Sequence, residues 1–224
     1  MVLTIIIPVY NEESIIEKNI AKLINHLKSF KKYEILICNN GSTDNTLNLA
    51  KQLEKKYKNI RVISVPEKGV GMVFKKAVKL AKYSNIISVD MDLSTDLNFI
   101  LESIKLLKKY DIVIGSKKMG FQERSILRKI PSTIFIFLVK LLLRMPYKDY
   151  SMAAKAYKKD AIISHIDKVD YGTSYVIDLI YFAKKDKGKI IEIPVKCIDK
   201  RKSKFNLLYE SLYRLKNLIK LAIK

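Results

Sequence analysis

The first half of this chain alternates short apolar runs with longer amphipathic stretches, and this alternation limits the folds open to it. Runs rich in Ile, Val and Leu occupy residues 4–9, 34–39, 60–65, 85–90 and 111–115. Between them, apolar residues recur at helical spacing over residues 13–30, 43–57, 70–83 and 96–109. Strands that alternate with helices pair in parallel and leave both faces of the sheet to the helices. The pattern predicts an α/β fold with a mostly parallel sheet and helices on both faces.

The pattern changes after residue 115. A long apolar stretch at 130–143 predicts a helix, and a strand over 152–157, a helix over 173–185 and a strand over 190–195 follow. A chain of 224 residues suits one sizeable core and is short for two full domains. We therefore expect a single domain over residues 1–224.

Polar residues follow four of the predicted strands directly. Asp90 and Asp92 lie one residue apart at the end of the fourth run, and the other polar clusters are residues 10–12, 39–44 and 68–71. The carboxyl ends of parallel strands meet at one edge of the sheet, where open sheets bind their ligands. An Asp-x-Asp pair alone is also compatible with solvated loop carboxylates. Together with the other clusters it predicts a divalent cation held against a diphosphate.

These segments resemble the family 2 glycosyltransferases with the GT-A (Rossmann-like) fold. The resemblance is closest to enzymes that transfer a sugar to polyprenyl or dolichyl phosphate, such as dolichol-phosphate mannosyltransferases. It is carried, in the family's order, by residues 8–12, 40–44, 68–71, 90–93, 115–117, 149, 192–195 and 201–204. It implies a nucleotide-sugar-binding half over residues 1–115 and an acceptor half over residues 116–205, followed by a basic amphipathic helix over 206–224.

The resemblance implies a donor site and a metal site at the strand ends. The donor, GDP-mannose or UDP-glucose, would be bound by Pro8, Tyr10, Asn11, Glu12, Asn39, Gly41, Ser42, Lys68, Asp90 and Met91. Mg²⁺ or Mn²⁺ would be held by Asp90, Asp92 and Ser94, with Asp92 as the catalytic ligand. Ser94 stands where the family often has Gln, and this leaves the third protein ligand open. Asn39 stands where the family commonly has Asp, and this leaves the donor base open.

The resemblance also implies an acceptor site for a lipid phosphate. Arg128, Ser132, Arg201 and Lys204 would bind the phosphate, and Arg128 and Arg201 would also be catalytic. Such a phosphate is already an anion, so it needs cations to position it and no general base. Lys117 replaces the family's usual Arg and keeps only the charge. The implied reaction is inverting transfer of a hexose, mannose or glucose, to polyprenyl or dolichyl phosphate.

A second function stays open on the same residues. A family 2 enzyme that glycosylates a sugar hydroxyl would need a carboxylate base near the acceptor. Asp149 and Asp178 are the candidates for that base. Dependence on such a base and indifference to lipid would distinguish this enzyme from the lipid-phosphate transferase.

The charge of the chain favours an anionic partner. Forty-three Lys and Arg against 22 Asp and Glu give a formal net charge of +21, which suits phosphates, nucleic acid or an anionic membrane. No helix-turn-helix or RNA-binding motif accompanies the charge, so we expect no nucleic-acid partner. Residues 130–143 and 206–224 combine apolar faces with basic residues and predict interfacial helices on a membrane surface. A buried core helix, or packing against a membrane subunit, is the alternative.

Two further features bear on location. The opening apolar run is too short for the core of a signal peptide, and no stretch reaches the ~20 apolar residues that span a bilayer. Cys38 and Cys197 lie in strand-like runs without metal-ligand spacing, which predicts free, buried thiols in a reducing compartment. We expect a cytoplasmic protein, peripheral on the inner face of the cell membrane.

Overall fold

A computed structural model describes residues 2–123, 126–198 and 207–223 of the chain. Its strands are β1 (Val2–Val9), β2 (Lys32–Asn40), β3 (Ile60–Val65), β4 (Asn85–Ser88), β5 (Ile112–Ser116), β6 (Gln122–Glu123), β7 (Lys155–Lys158), β8 (Ile190–Pro194) and β9 (Cys197–Ile198). Its α-helices are α1 (Ile16–His26), α2 (Thr46–Lys56), α3 (Val70–Leu80), α4 (Asn98–Leu106), α5 (Ile126–Leu143), α6 (Asp160–Ile163), α7 (Tyr175–Lys185) and α8 (Leu207–Ala222). Short 3₁₀ turns occupy Leu27–Ser29 and Ile166–Lys168.

Seven of the strands form one sheet in the order β3-β2-β1-β4-β7-β5-β8. The pairs β1 with β2, β2 with β3, β1 with β4 and β5 with β8 are parallel. Only β7, inserted between β4 and β5, runs antiparallel to both of its neighbours. The mostly parallel α/β sheet expected from the sequence is confirmed, and the antiparallel insertion in its centre is new.

Helices cover both faces of the sheet, because successive side chains of a strand point to opposite sides. In β1, Ile6 joins a core with Phe74 and Ile180, whereas its neighbour Ile7 joins a second core with Ile20. All five side chains are fully buried. This burial on both faces explains why β1 is a continuous apolar run rather than an alternating one.

Helix boundaries follow the amphipathic pattern with small differences. In α1 the buried residues Ile16, Ile20 and Leu23 recur at helical spacing. The predicted helix over 13–30 ends earlier, at His26, and continues as the 3₁₀ turn Leu27–Ser29. Strand β4 ends at Ser88, two residues before the predicted end, so Asp90 lies in the loop that follows.

The remaining elements complete one edge of the fold. Strands β6 and β9 pair in parallel as a separate two-stranded sheet, and α8 packs along α5. Both cysteines are buried thiols outside any disulfide, as the sequence predicts. Among the described residues, no helix combines the length and apolarity needed to cross a bilayer.

Candidate active site

The loops after β1 and β2 meet at the carboxyl edge of the sheet. The backbone N–H of Asn11 donates to Ser42 Oγ at 3.1 Å, and the Asn11 amide oxygen accepts from the Thr43 N–H at 2.8 Å. The N–H of Glu12 donates to Thr46 Oγ1 at 2.7 Å. Asn11 has a φ of +54°, a left-handed conformation that Asn adopts more readily than most residues. The first two polar clusters predicted from the sequence therefore form one surface.

The turn at residues 68–71, which we call the diphosphate turn, joins this surface. The Gly69 N–H donates to Asn40 Oδ1 at 2.5 Å, and Gly69 is the residue before the first turn of α3. Gly41, at a φ of +67°, lies so close to this segment that a Cβ would be 2.9 Å from the Glu67 carbonyl carbon. A helix start with a glycine beside it is suited to binding a phosphate through backbone N–H groups.

Side chains of the predicted donor site lie on both sides of this surface. The Lys68 ammonium lies 4.1 Å from the centre of the Tyr10 ring, which links the end of β1 to the diphosphate turn. Pro8 is paired with Cys38 in the β1–β2 register. Asn39 is buried, with its amide donating to Ser64 Oγ at 2.9 Å and accepting from the Ser42 N–H at 3.3 Å. Asn39 thus supports the loop, and its contact with the donor base stays a prediction.

Asp90 and Asp92 occupy a tight turn directly after β4. The Leu93 N–H donates to the Asp90 carbonyl at 3.1 Å, and Leu93 has a φ of +48°. Asp92 Oδ1 accepts the Ser94 N–H at 3.0 Å, and the Met91 carbonyl accepts from the Asn19 amide at 2.9 Å. The turn therefore holds the two carboxylates close together at the edge of the sheet. The Ser94 carbonyl also accepts the Ile198 N–H at 2.9 Å, and a role for the Ser94 hydroxyl as a ligand stays a prediction.

The electrostatics of this turn suit a cation. Burial, reinforced by the negative charge of Asp92, raises the pKa of Asp90 to about 6. Among the described residues, no cluster of three or more Asp, Glu, His or Cys side chains could hold a metal by itself. Two carboxylates would leave several positions on a divalent ion for phosphate oxygens and water, which is how Mg²⁺ is commonly bound beside nucleotides.

Strand β7 brings a buried charged cluster behind Asp90. Lys155 is fully buried, and its ammonium donates to the Gly115 and Met152 carbonyls at 3.3 and 3.0 Å. Asp149 is also buried, with its carboxylate 3.7 Å from the Lys117 ammonium and 4.0 Å from that of Lys155. We call these three residues, Lys117, Asp149 and Lys155, the buried cluster.

The charges of the buried cluster depend on one another. Burial alone would raise the pKa of Asp149, but the ammonium groups of Lys117 and Lys155, together with the Ser151 and Met152 N–H groups, outweigh it and keep that pKa below its usual value. Burial lowers the pKa of Lys155 to about 8. Lys155 is not among the residues predicted from motifs, although a single Lys in the mostly apolar run 152–157 is a signal for a buried charge.

The predicted acceptor residues are only partly described. Ser132 lies half-buried near the start of α5. The side chain of Arg128 and all of Arg201 and Lys204 lie outside the described residues. Lys118, a neighbour of the buried cluster, donates to Thr133 Oγ1 at 3.0 Å, and burial lowers its pKa. This contact attaches the first half of α5 to the segment after β5, beside the buried cluster.

The two carboxylates considered as bases for a hydroxyl acceptor are both engaged. Asp178 is buried and accepts the Asp170 N–H at 2.7 Å. Asp149 accepts the Ser151 and Met152 N–H groups at 3.0 and 3.2 Å and lies beside two ammonium groups. A carboxylate with a depressed pKa is a weak general base at neutral pH.

The family model described as Glycosyl transferase family 2 matches residues 4–166 of this chain. That span runs from within β1 to past β7, and it includes the loops after β1 and β2, the diphosphate turn, Asp90 and Asp92, and the buried cluster. This chain belongs to glycosyl transferase family 2. The family resemblance read from the motifs is thereby confirmed.

Several relatives in family 2 carry more specific names. Glycosyltransferase AglD of Haloferax volcanii is 26% identical over 218 residues, covering 93% of this chain and 35% of that protein. Poly(ribitol-phosphate) beta-glucosyltransferase of Bacillus spizizenii is 38% identical over 139 residues, or 60% of this chain and 21% of that protein. Dolichyl-phosphate beta-glucosyltransferase ALG5D of Trichomonas vaginalis is 25% identical over 240 residues, or 97% of this chain and 70% of that protein. The chain thus spans only a third and a fifth of the first two relatives.

A solved structure shares the fold. Glucosyl-3-phosphoglycerate synthase from Mycobacterium tuberculosis, solved with Mn²⁺, UDP and glucosyl-3-phosphoglycerate, superposes with a TM-score of 0.67 at 16% identity. The match covers 98% of this chain and 79% of that one. The GT-A fold expected for a family 2 member is confirmed.

Proposed function

We propose that this chain is a metal-dependent, inverting glycosyltransferase that moves a hexose from a nucleotide diphosphate sugar to a polyprenyl or dolichyl phosphate. The observation that carries the acceptor assignment is an exposed apolar stripe on α5 that starts beside the candidate active site. Ile130, Ile134, Phe137 and Leu141 recur every three or four residues along α5, and each is more than half exposed. An acceptor with a phosphate head and an apolar chain matches this arrangement.

The donor assignment is supported by the carboxyl edge of the sheet. The diphosphate turn forms the positive end of α3 and carries the Lys68 ammonium, and Asp90 and Asp92 supply hard oxygen ligands for Mg²⁺ or Mn²⁺. The metal, when bound, would neutralise charge on the departing diphosphate. Because the named relatives include beta-glucosyltransferases and a fold neighbour solved with UDP and Mn²⁺, UDP-glucose is the favoured donor over GDP-mannose.

The acceptor phosphate would be held by cations at the start of α5. Lys118 is fixed against Thr133 there, Lys117 lies behind it in the buried cluster, and Ser132 is the adjacent hydroxyl. Arg128, Arg201 and Lys204 remain the predicted partners from the sequence. A phosphate oxygen would attack the anomeric carbon as the bond from that carbon to the nucleotide's β-phosphate oxygen breaks, and the nucleoside diphosphate would leave with the electron pair.

The surface of the protein supports a membrane position for this reaction. Helix α8 packs along α5 and exposes Tyr209, Leu212 and Ile219, and Ile223 just after its end is exposed as well, so both helices carry exposed apolar residues. The net charge of +21 would attract these helices to an anionic leaflet. We therefore assign the protein to the cytoplasmic face of a membrane, where a lipid phosphate and a soluble nucleotide sugar meet.

The test is a transfer assay with labelled UDP-glucose and GDP-mannose in the presence of Mg²⁺ or Mn²⁺. The acceptors are dolichyl phosphate in anionic vesicles, 3-phosphoglycerate and simple sugars, each with wild-type protein and with Asp92→Asn. We expect a labelled lipid that forms only with the wild type. Label on 3-phosphoglycerate or a sugar hydroxyl, with none on lipid, would overturn the acceptor assignment.

A hydroxyl acceptor is the second candidate, because the named relatives include a poly(ribitol-phosphate) glucosyltransferase and a fold neighbour solved with glucosyl-3-phosphoglycerate. It is less favoured because Asp149 and Asp178 are already engaged with ammonium and backbone N–H groups. The same assay distinguishes the two candidates through the identity of the labelled product.

A further inference from the structure

A short loop at residues 170–174, which we call the bridging loop, lies between the diphosphate turn and α8. On one side it contacts the start of α3. The Met72 N–H donates to the Tyr171 carbonyl at 3.1 Å. A Cβ on Gly71 would be 2.1 Å from the Asp170 carbonyl oxygen, so only glycine allows the two backbones to approach this closely.

On its other side the bridging loop contacts α8. The Tyr213 hydroxyl donates to Asp170 Oδ1 at 2.6 Å. A Cβ on Gly172 would be 2.5 Å from that hydroxyl, so a second glycine makes room for the Tyr213 ring. Burial, together with the hydrogen bond to Asp170, raises the pKa of Tyr213 to about 12, and the phenol therefore stays a donor at neutral pH.

Asp170 is the centre of these contacts. Its second carboxylate oxygen accepts the Gly172 and Ser174 N–H groups at 2.9 and 3.1 Å, which fixes the shape of the loop. Its first oxygen accepts from Tyr213 and, at 3.4 Å, from the Asn217 amide.

A second set of three hydrogen bonds strengthens the same junction. Arg214 of α8 donates to Thr173 Oγ1 at 3.3 Å and to Glu210 at 2.8 Å, and Thr173 also donates to Glu210. One side of α8 is therefore attached to the bridging loop by four polar side chains: Glu210, Tyr213, Arg214 and Asn217. The opposite face of the same helix carries the exposed residues Leu212 and Ile219.

We propose that Asp170 and Tyr213 are positioning residues for the donor: together they hold the bridging loop against the diphosphate turn, so that α8 sets the geometry of that turn. The inference rests on the proposed function in assigning the turn to the donor. Because coupling between two sites is reciprocal, a ligand that changes how α8 is seated also changes nucleotide affinity. In the proposed function that ligand is the lipid surface, so binding to the membrane would raise the affinity of the enzyme for its nucleotide-sugar donor.

The test uses Tyr213→Phe, which keeps the ring and removes the hydrogen bond to Asp170. Two quantities are measured on the full chain: the exchange rate of the Met72 amide hydrogen by NMR without nucleotide, and the affinity for UDP with Mn²⁺ by calorimetry. We expect Met72 exchange to rise, and UDP affinity to fall, by about fivefold, the lower end for coupled sites. The Val89 amide, which donates to the Ile6 carbonyl at 3.1 Å in the sheet, should keep its rate.

Tyr181→Phe is the matched control, because Tyr181 lies on α7 and its hydroxyl makes no hydrogen bond to the described residues. It should leave both measurements within twofold of wild type. A Tyr213→Phe variant that lowers the melting temperature but changes neither Met72 exchange nor UDP affinity would reduce Tyr213 to a structural role and overturn the inference. If wild-type protein binds neither UDP nor GDP, the donor assignment fails, while Met72 exchange still decides whether α8 controls the turn.

Discussion

The buried cluster gives a prediction whose magnitude can be worked out from the structure. Asp149→Asn keeps the shape of the side chain and an oxygen that can accept the Ser151 and Met152 N–H groups, but removes the charge. Two buried ammonium groups, Lys117 and Lys155, then lose the carboxylate that lies within 3.7 and 4.0 Å of them. Removing one partner of a buried ion pair usually costs about 3–5 kcal/mol.

The contribution of Lys155 to this loss is limited by its own titration. Its pKa in the folded protein is about 8, so at pH 7 it can become neutral for about 1.4 kcal/mol, the equivalent of one pKa unit. A neutral Lys155 carries no charge for the Asp149 carboxylate to compensate. The remaining loss comes from Lys117, and we therefore expect a total near the lower end of the range, about 3 kcal/mol at pH 7.

The same argument predicts how the effect changes with pH. Above pH 8 Lys155 is already neutral in the folded wild type, so it no longer contributes to the difference in stability between wild type and Asp149→Asn. At pH 9.5 the variant should be about 1.5 kcal/mol less stable than wild type. The pKa of Asp149 is depressed in the folded state, so its stabilisation is present above the unfolded-state pKa of about 4 and is lost as the pH falls through the folded-state value.

Urea unfolding followed by far-UV circular dichroism, at pH 7 and pH 9.5, measures both quantities. Asp111→Asn is the control, because Asp111 forms a partly exposed pair with Lys158 of the same strand β7 at 2.9 Å, for which less than about 1 kcal/mol is expected. The electrostatic account of the buried cluster is refuted if the free energy of unfolding of Asp149→Asn lies within 1 kcal/mol of wild type at pH 7. It is also refuted if the difference between the two free energies is not smaller at pH 9.5.

Three further predictions concern the metal site, the membrane surface and the turn after β2. Asp92→Asn should weaken Mn²⁺-dependent UDP binding more than about tenfold, because it removes one of two carboxylate ligands; unchanged calorimetric titrations would contradict the metal site. Leu141→Ser should lower binding to anionic vesicles about 30-fold, the equivalent of about 2 kcal/mol of lost burial. The control is Leu80→Ser, which changes another exposed leucine, on α3, and should leave vesicle binding unchanged. Sedimentation with vesicles measures the binding of both variants. Gly41→Ala should lower the free energy of unfolding, measured in urea, by about 1–2 kcal/mol, because alanine is strained at the Gly41 φ of +67°. An unfolding midpoint in urea equal to that of wild type would refute this prediction.

The meeting of the polar loops at the carboxyl edge of the sheet could be predicted from the sequence because its features are local. Strand β3 occupies the predicted residues 60–65, and the polar clusters at 10–12, 39–44 and 68–71 lie at or just after the ends of β1, β2 and β3, as the pattern predicted. Parallel strands then bring those loops together without further information. The acceptor residues were harder, because their assignment came from the family resemblance, and the side chains of Arg128, Arg201 and Lys204 lie outside the described residues.

Strand β7 shows where local pattern stops being informative. A strand near residues 152–157 was predicted, and one is found at Lys155–Lys158. Its antiparallel pairing between β4 and β5 depends on contacts with residues about 40 and 70 positions away in the sequence. A lone Lys in an apolar run can signal a buried charge, but no local pattern pairs the fully buried Lys155 with Asp149 and Lys117.

By itself, the sequence determined the α/β class, the strands and helices of the first half, the pair of carboxylates after β4 and the family, because these follow from periodicity and short motifs. Tertiary structure alone decided the buried cluster of Lys117, Asp149 and Lys155, and the junction that connects α8 through Asp170 to the diphosphate turn. Both assemble side chains from segments far apart in the chain. Their energies come from burial and from hydrogen bonds that exist only after the strands have paired and α8 has packed, which no local pattern encodes.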